Sequence, residues 1–156
     1  MGIVLGLFLS TAVNKIDKKG RVSVPSNFRN VISPLSYNGV ILFPSPHHAC
    51  LEGFGIDYIE EINNRLETFD LFSDEQDDLA TAIFGQSVQL PFDGEGRIIL
   101  PEELRGHANL EGEAAFVGLG RKFQIWEPGA FEKRKAQSRN SIASKSLTLP
   151  KGGANG

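Results

Sequence analysis

Apolar and polar residues alternate in short runs along most of this chain, and helical spacing replaces the alternation at a few places. Phe8–Ile16 reads as a strand and Asp17-Lys-Lys-Gly20 as a turn whose glycine takes positive φ; Arg21–Val24 is a second strand, ended by Pro25. Pro25 opens a helix running through Ile32. Asn38-Gly39 signals a turn into the buried-type strand Val40–Phe43, with Ala49–Glu52 as its partner across a Pro-His-His loop. Ile59, Ile62 and Leu66 fall at helical intervals within Ile56–Phe69, and Asp74–Phe84 reads as another helix with Asp74 as its N-cap. The plan then recurs. Gln86–Phe92 alternates, Asp93–Gly96 turns, Arg97–Leu100 extends, and Pro101–Arg105 opens a short helix. Ala114–Val117 and Phe123–Trp126 form a later strand pair, Pro128–Ser138 a last helix, and a Ser/Gly/Lys/Asn-rich mobile tail follows Asn140.

The recurrence is visible in the residues themselves. Asp17-Lys-Lys-Gly-Arg-Val-Ser-Val-Pro25 and Asp93-Gly-Glu-Gly-Arg-Ile-Ile-Leu-Pro101 lie 76 positions apart, and the likeness continues through Phe28-Arg29 and Leu104-Arg105. A weaker echo matches Leu51-Glu52 with Trp126-Glu127. Two copies of one small unit are expected. Each copy has too few strands to enclose a core alone, so the two should complete each other. The expected fold is mainly β with helices (α+β), a pseudo-twofold swapped-hairpin barrel with an acidic helical insert. Its divisions are a first module at 7–54, the insert at 55–82, a second module at 83–130, and a basic helix with flexible tail at 131–156.

Charge sharpens this picture. The net value of −3 conceals blocks of +4 over residues 1–51, −9 over 52–78, −4 over 79–120 and +6 over 121–156. Clustered charge, and not the total, decides where a polyanion sits. The first module and the C-terminal segment are therefore the candidates. The single cysteine, Cys50, cannot form an internal disulfide and suits a reducing compartment. The apolar stretch Ile3–Leu9 has no preceding Lys or Arg, as a signal segment would, and Gly6 stands where myristoylation at Gly2 wants Ser or Thr. A cytoplasmic protein with no membrane partner is expected.

The doubled Asp-x-x-Gly-Arg-Val/Ile-x-Val/Leu-Pro, each copy followed by Phe/Leu-Arg, resembles the SpoVT/AbrB type of swapped-hairpin DNA-binding module. Two such units around an acidic helical insert resemble the MraZ family of bacterial transcriptional regulators, over residues 8 to about 131. The resemblance implies a ring-shaped homo-oligomer and a nucleoid location. It also implies repression of the bacterial division and cell-wall gene cluster through short, G-containing direct repeats in double-stranded DNA. It pairs Asp17 with Arg21 and Asp93 with Arg97. The second turn departs from the first in lacking lysines, and Leu9 stands where many members carry a basic residue.

Arg21 and Arg97 admit two readings. Their planar forks can meet guanine O6 and N7 or phosphate, or they can pair with Asp17 and Asp93 to fix the turns. Lys15, Lys18, Lys19 and Arg29 read as phosphate contacts around the first turn. Asp17, Gly20, Asp93 and Gly96 read as turn-forming and orienting residues. Arg134, Lys135 and Arg139 either add nonspecific DNA affinity or pair with the acidic 52–78 segment of a neighbouring subunit.

Catalysis finds no support in the motifs. Gly53-x-Gly55 and Gly118-x-Gly120 lack the third glycine of a dinucleotide site, and neither a phosphate loop nor a nucleophile elbow occurs. His47-His48-x-Cys50 lacks metal-site spacing and reads as a loop with incidental ligands. No metal, cofactor or small-molecule substrate is expected. The rival class is a protein-interaction module that uses its acidic helices and retains only vestigial DNA binding.

Overall fold

The computed structural model describes residues 6–152; Gly2 and the Ile3–Leu5 part of the apolar N-terminal stretch lie outside the described residues. Eight strands and five helices follow in the order β1 (Thr11–Lys15), β2 (Arg21–Ser23), α1 (Ser26–Ile32), β3 (Gly39–Pro44), β4 (Leu51–Phe54), α2 (Tyr58–Leu66), α3 (Asp74–Ile83), β5 (Val88–Pro91), β6 (Arg97–Ile99), α4 (Glu102–His107), β7 (Glu113–Gly118), β8 (Phe123–Trp126) and α5 (Pro128–Lys145). Six strands form one antiparallel sheet in the order β1-β7-β8-β4-β3-β5, and β2 pairs with β6 in a separate ribbon. The class is α+β, dominated by antiparallel sheet.

The halves interlock as the short strands require. The strand β1 pairs with β7 from the other half, and β5 pairs with β3. Exchanging the halves returns the same strand order, so the sheet has an internal twofold. Register locates the axis. The β2–β6 ribbon centres on Val22 opposite Ile98, and β4–β8 centres on Glu52 opposite Gln124. This corrects the sequence echo that matched Glu52 with Glu127, because the second half has a shorter loop between its last two strands. The expected barrel is therefore a six-stranded sheet faced by a two-stranded ribbon, joined at one edge by the Ile16–Val22 bridge.

Between ribbon and sheet lies the main core. Val22, Val24, Ile98 and Leu100 point inward onto Leu42, Leu51, Phe116, Phe123 and Ile125. The α1 helix adds Phe28 and Ile32, and α4 adds Leu104 with Ala108 at its C-cap, all buried. Phe28 meets Phe8 edge-on at 5.1 Å between ring centroids, and Phe8 meets Phe123 at 4.9 Å. Truncating such a ring to alanine costs about 3–5 kcal/mol.

Two smaller clusters cover the outer face of the sheet. The α2–α3 hairpin lays Tyr58, Ile59, Ile62 and Ile83 over Ile41, Phe43 and Phe54. The start of α5 lays Ala130 and Phe131 over Ala115, Val117 and Trp126. On the axis itself, the buried Glu52 carboxylate accepts from Gln124 Nε2 at 3.0 Å and Lys122 Nζ at 2.8 Å, while Gln124 Oε1 accepts from Trp126 Nε1 at 2.8 Å. A buried charge is tolerable only with partners of this kind.

Several boundaries differ from expectation for local reasons. The strand after the histidine loop is Leu51–Phe54, because Ser45 to Cys50 closes a loop with a Ser45 N to Cys50 O bond of 2.9 Å. Ser73, and not Asp74, caps α3 by accepting from Gln76 N at 3.2 Å. The last helix does not stop near Ser138 but continues to Lys145. It ends at left-handed Ser146, with Leu147 N donating to Ile142 O at 3.0 Å, a Schellman-type closure.

Candidate nucleic-acid interface

The two Asp-x-x-Gly-Arg turns are built alike. Asp17 Oδ1 accepts from the amides of Lys19 and Arg21, both at 2.9 Å, and Oδ2 accepts from Arg21 Nε at 2.6 Å. Asp93 Oδ1 accepts from the amides of Glu95 and Arg97 at 2.8 and 2.9 Å, and Oδ2 from Arg97 Nε at 2.8 Å. Aspartate suits this place because its short side chain caps its own turn. Gly20 and Gly96 follow at φ of 84° and 77°, where a side chain is strained. The amide bonds, from Arg21 foremost in one turn and Arg97 in the other, hold both carboxyls below the usual range despite some opposing desolvation. Both aspartates are therefore anionic, and both arginines are pinned.

Each turn is braced by the opposite half. Leu100 N donates to Gly20 O at 2.8 Å and Val24 N to Gly96 O at 3.1 Å. Arg105 Nε bonds Leu100 O at 3.1 Å, with its guanidinium beside Gly20; Arg29 Nε bonds Val24 O at 3.1 Å, beside Gly96. Arg29, expected to serve the first turn, thus sits under the second. The signal for this brace was present in the Phe28-Arg29 and Leu104-Arg105 echo, but its partner was not.

The outer face of the β2–β6 ribbon carries the exposed chemistry. Val22 and Ile98 face the core, so Arg21, Ser23, Arg97 and Ile99 share the opposite face by strand alternation. Asn14 Nδ2 ties β1 to this ribbon through Ser23 O at 2.7 Å, a contact that sequence reasoning missed because Asn14 has no polar counterpart in the second half. Lys15, Lys18 and Lys19 are exposed around the first turn, and Lys15 stands opposite Glu113 in register. Among the described residues, Arg21 makes its one salt bridge to Asp17, through Nε. Arg97 makes a second one, from Nη2 to Glu95 at 3.3 Å. Its proton is held more tightly than usual, chiefly by the Asp93 hydrogen bond.

Other motifs assemble no site. Cys50 is buried, and burial, aided by the Glu52 charge, pushes its thiol up to about 12; the His48 ring lies 5.7 Å from that of Trp126. Among the described residues, no three His, Cys, Asp or Glu gather as a metal site, and no helix is long and apolar enough to cross a membrane.

The family described as "MraZ protein, putative antitoxin-like" matches residues 83–149. A protein of Rickettsia rickettsii named transcriptional regulator MraZ is 49% identical over 145 residues, covering 93% of this chain and 97% of that protein. Proteins of the same name from Rickettsia typhi and Rickettsia akari are 48% and 46% identical over the same shares. The likeness spans both halves, the acidic insert and most of α5, and this chain belongs to the MraZ family.

Proposed function

We propose that this protein is a sequence-specific, DNA-binding transcriptional regulator that represses by occupying short, G-containing direct repeats upstream of the bacterial division and cell-wall gene cluster. It acts as a homo-oligomeric ring in the cytoplasm at the nucleoid, without catalysis or cofactor. The observation that carries this reading is the pair of pinned arginines on the outer face of the β2–β6 ribbon. A two-stranded ribbon fits the major groove, and an arginine fork there reads guanine. Holding each arginine by Nε preorients it and leaves the Nη atoms out of the bond to aspartate, so little side-chain entropy is lost on contact.

Roles divide accordingly. Arg21 is the principal base-reading residue and Arg97 a weaker one, while Lys15, Lys18 and Lys19 meet phosphates. Asp17, Gly20, Asp93 and Gly96 shape and orient the turns. Arg29 serves the interface through its brace on Gly96 as well as by charge. The regulator names carried by the relatives support this reading, and multivalency across a ring would strengthen individually weak contacts.

The test compares affinity for this organism's own upstream repeats with affinity for scrambled DNA at two salt concentrations, alongside native mass. A preference for the repeats that survives added salt is expected. Equal binding to both sequences would remove the sequence-reading role. A stable protein partner in its place would favour the interaction-module reading, for which the acidic α2–α3 hairpin is the motivating feature.

A further inference from the structure

The loop joining α2 to α3 exposes two adjacent large apolar residues that its own chain leaves uncovered. Leu71 is 75% exposed and Phe72 83%, and Phe72 is held at φ 65°, a conformation rare for an aromatic residue. Exposed Glu67, Asp70, Asp74 and Glu75 surround this tip. An apolar point within an acidic rim is the footprint of a contact surface, and not of a solvated loop.

A surface of opposite sign lies on α5 of the same chain. That helix carries Lys133, Arg134, Lys135, Arg139 and Lys145 against a single acid, Glu132, which Lys135 engages at 3.2 Å. Its first turn docks through Phe131, but the distal half stands exposed. Eighteen residues with no apolar stripe make a marginal helix in isolation. The Ser146 closure fixes its end and leaves Ile142 and Leu147 half-exposed beside the bases.

We propose that the Leu71–Phe72 tip of one copy docks on the distal half of α5 of the next, its acidic rim facing Arg139 and Lys145 and its apolar residues covering Ile142 and Leu147. This rests on the reading of the protein as a homo-oligomer and names the surfaces that build it. The two surfaces are distinct parts of one copy, so the contact can repeat head-to-tail from copy to copy, as a ring requires. Opposed charge sets partner and register, and the apolar tip supplies the desolvated centre.

Native mass spectrometry and sedimentation on two full-length variants test this. Glu67→Lys with Asp70→Lys alters the rim; both positions follow the C-terminal end of α2, where lysine is compatible with the helix dipole. Arg139→Glu with Lys145→Glu alters the helix. Each variant alone should fall to a monomer with an unchanged circular dichroism spectrum. Their mixture should recover assembly, because the native tip of one meets the native helix of the other and the reversed tip meets the reversed helix. All four substitutions on one chain should restore assembly. Phe72→Ser should lower assembly with no change of charge. Variants that keep wild-type mass, or a mixture that remains monomeric, would overturn this contact while leaving the oligomer reading intact. A wild-type protein that is itself monomeric would remove the oligomer reading and this contact with it.

Discussion

The two Asp-x-x-Gly-Arg turns share a backbone and differ in what surrounds the arginine. Both cap themselves through one carboxylate, both place glycine at positive φ, and both lean on an arginine from the opposite half. Around Arg21 stand Lys18 and Lys19; around Arg97 stands Glu95, which takes one of its Nη nitrogens. Geometry and electrostatics have thus come apart within one molecule. The repeat fixes how an arginine is presented, and the neighbouring charges decide what that arginine can still bind.

The largest expected effect follows directly. Arg21→Ala should lose about 1–3 kcal/mol per guanine contact, roughly 5- to 150-fold, and more when several subunits bind together. Arg97→Ala should lose only a few-fold, since breaking a contact already shared with Glu95 removes less. Gel-shift titration on repeat-bearing DNA measures both, with native mass as the control for assembly. Equal losses would abolish the functional difference between the turns and leave only their shared architecture.

Stability should show the opposite ranking. Any side chain at Gly20 or Gly96 meets the left-handed penalty of roughly 1–2 kcal/mol. A Cβ at Gly96 would also stand 2.7 Å from Arg29 Nε, which the Val24 carbonyl holds in place, whereas at Gly20 the Arg105 Nε is 3.4 Å away and the Leu100 carbonyl 3.0 Å. Gly96→Ala should therefore lower the thermal midpoint more than Gly20→Ala. The reverse order would show that the brace yields more easily under the second turn.

A smaller effect comes from Glu95. Replacing it with glutamine removes the competing charge, so affinity should rise a few-fold and the salt dependence should steepen by up to about one counterion per engaged subunit. Isotherms across a salt series, compared with Arg97→Ala in the same background, would expose the coupling. No change on Glu95→Gln would mean that Arg97 never reaches DNA.

Much of this arrangement was legible in the chain because repetition constrains it. Two copies of a strand–turn–strand unit, each too short to bury a core, lead to interlocked strands, and the strand order bears that out. Ile59 and Ile62 face the sheet as their spacing indicated. What stayed hidden depends on register between distant segments. Arg29 belongs to the same half as Lys18 and Lys19, yet the swap carries it under Gly96. Glu52 faces Gln124 and not the residue its local echo suggested. The segment after Asn140 has the composition of a tail, but Ile142 and Leu147 close a Schellman-type end that composition does not reveal. The same applies to Ser73, whose capping role turns on which of two neighbouring oxygens reaches the Gln76 amide.

The smallest effect, and the most selective between the turns, concerns pH. Both aspartates have folded-state pKa values below their unfolded ones, set first by backbone amides and then by the arginines. Such a group stabilises the fold fully above its unfolded pKa, near 3.9, and loses that contribution as pH falls through the lowered folded value. Between pH 5 and 7 the turns should therefore be insensitive to pH, and DNA affinity with them. The turns should separate once an aspartate is neutralised. Asp17→Asn leaves Arg21 with no acidic partner among the described residues, whereas Asp93→Asn leaves Arg97 with Glu95. Loss of orientation should therefore be greater at the first turn, seen as broadened arginine Nε resonances for Arg21 but not Arg97 at pH 6. A matching response in both would make the backbone bonds, which asparagine can still accept, the sole orienting device. Glu95 would then be a competitor for DNA and nothing more.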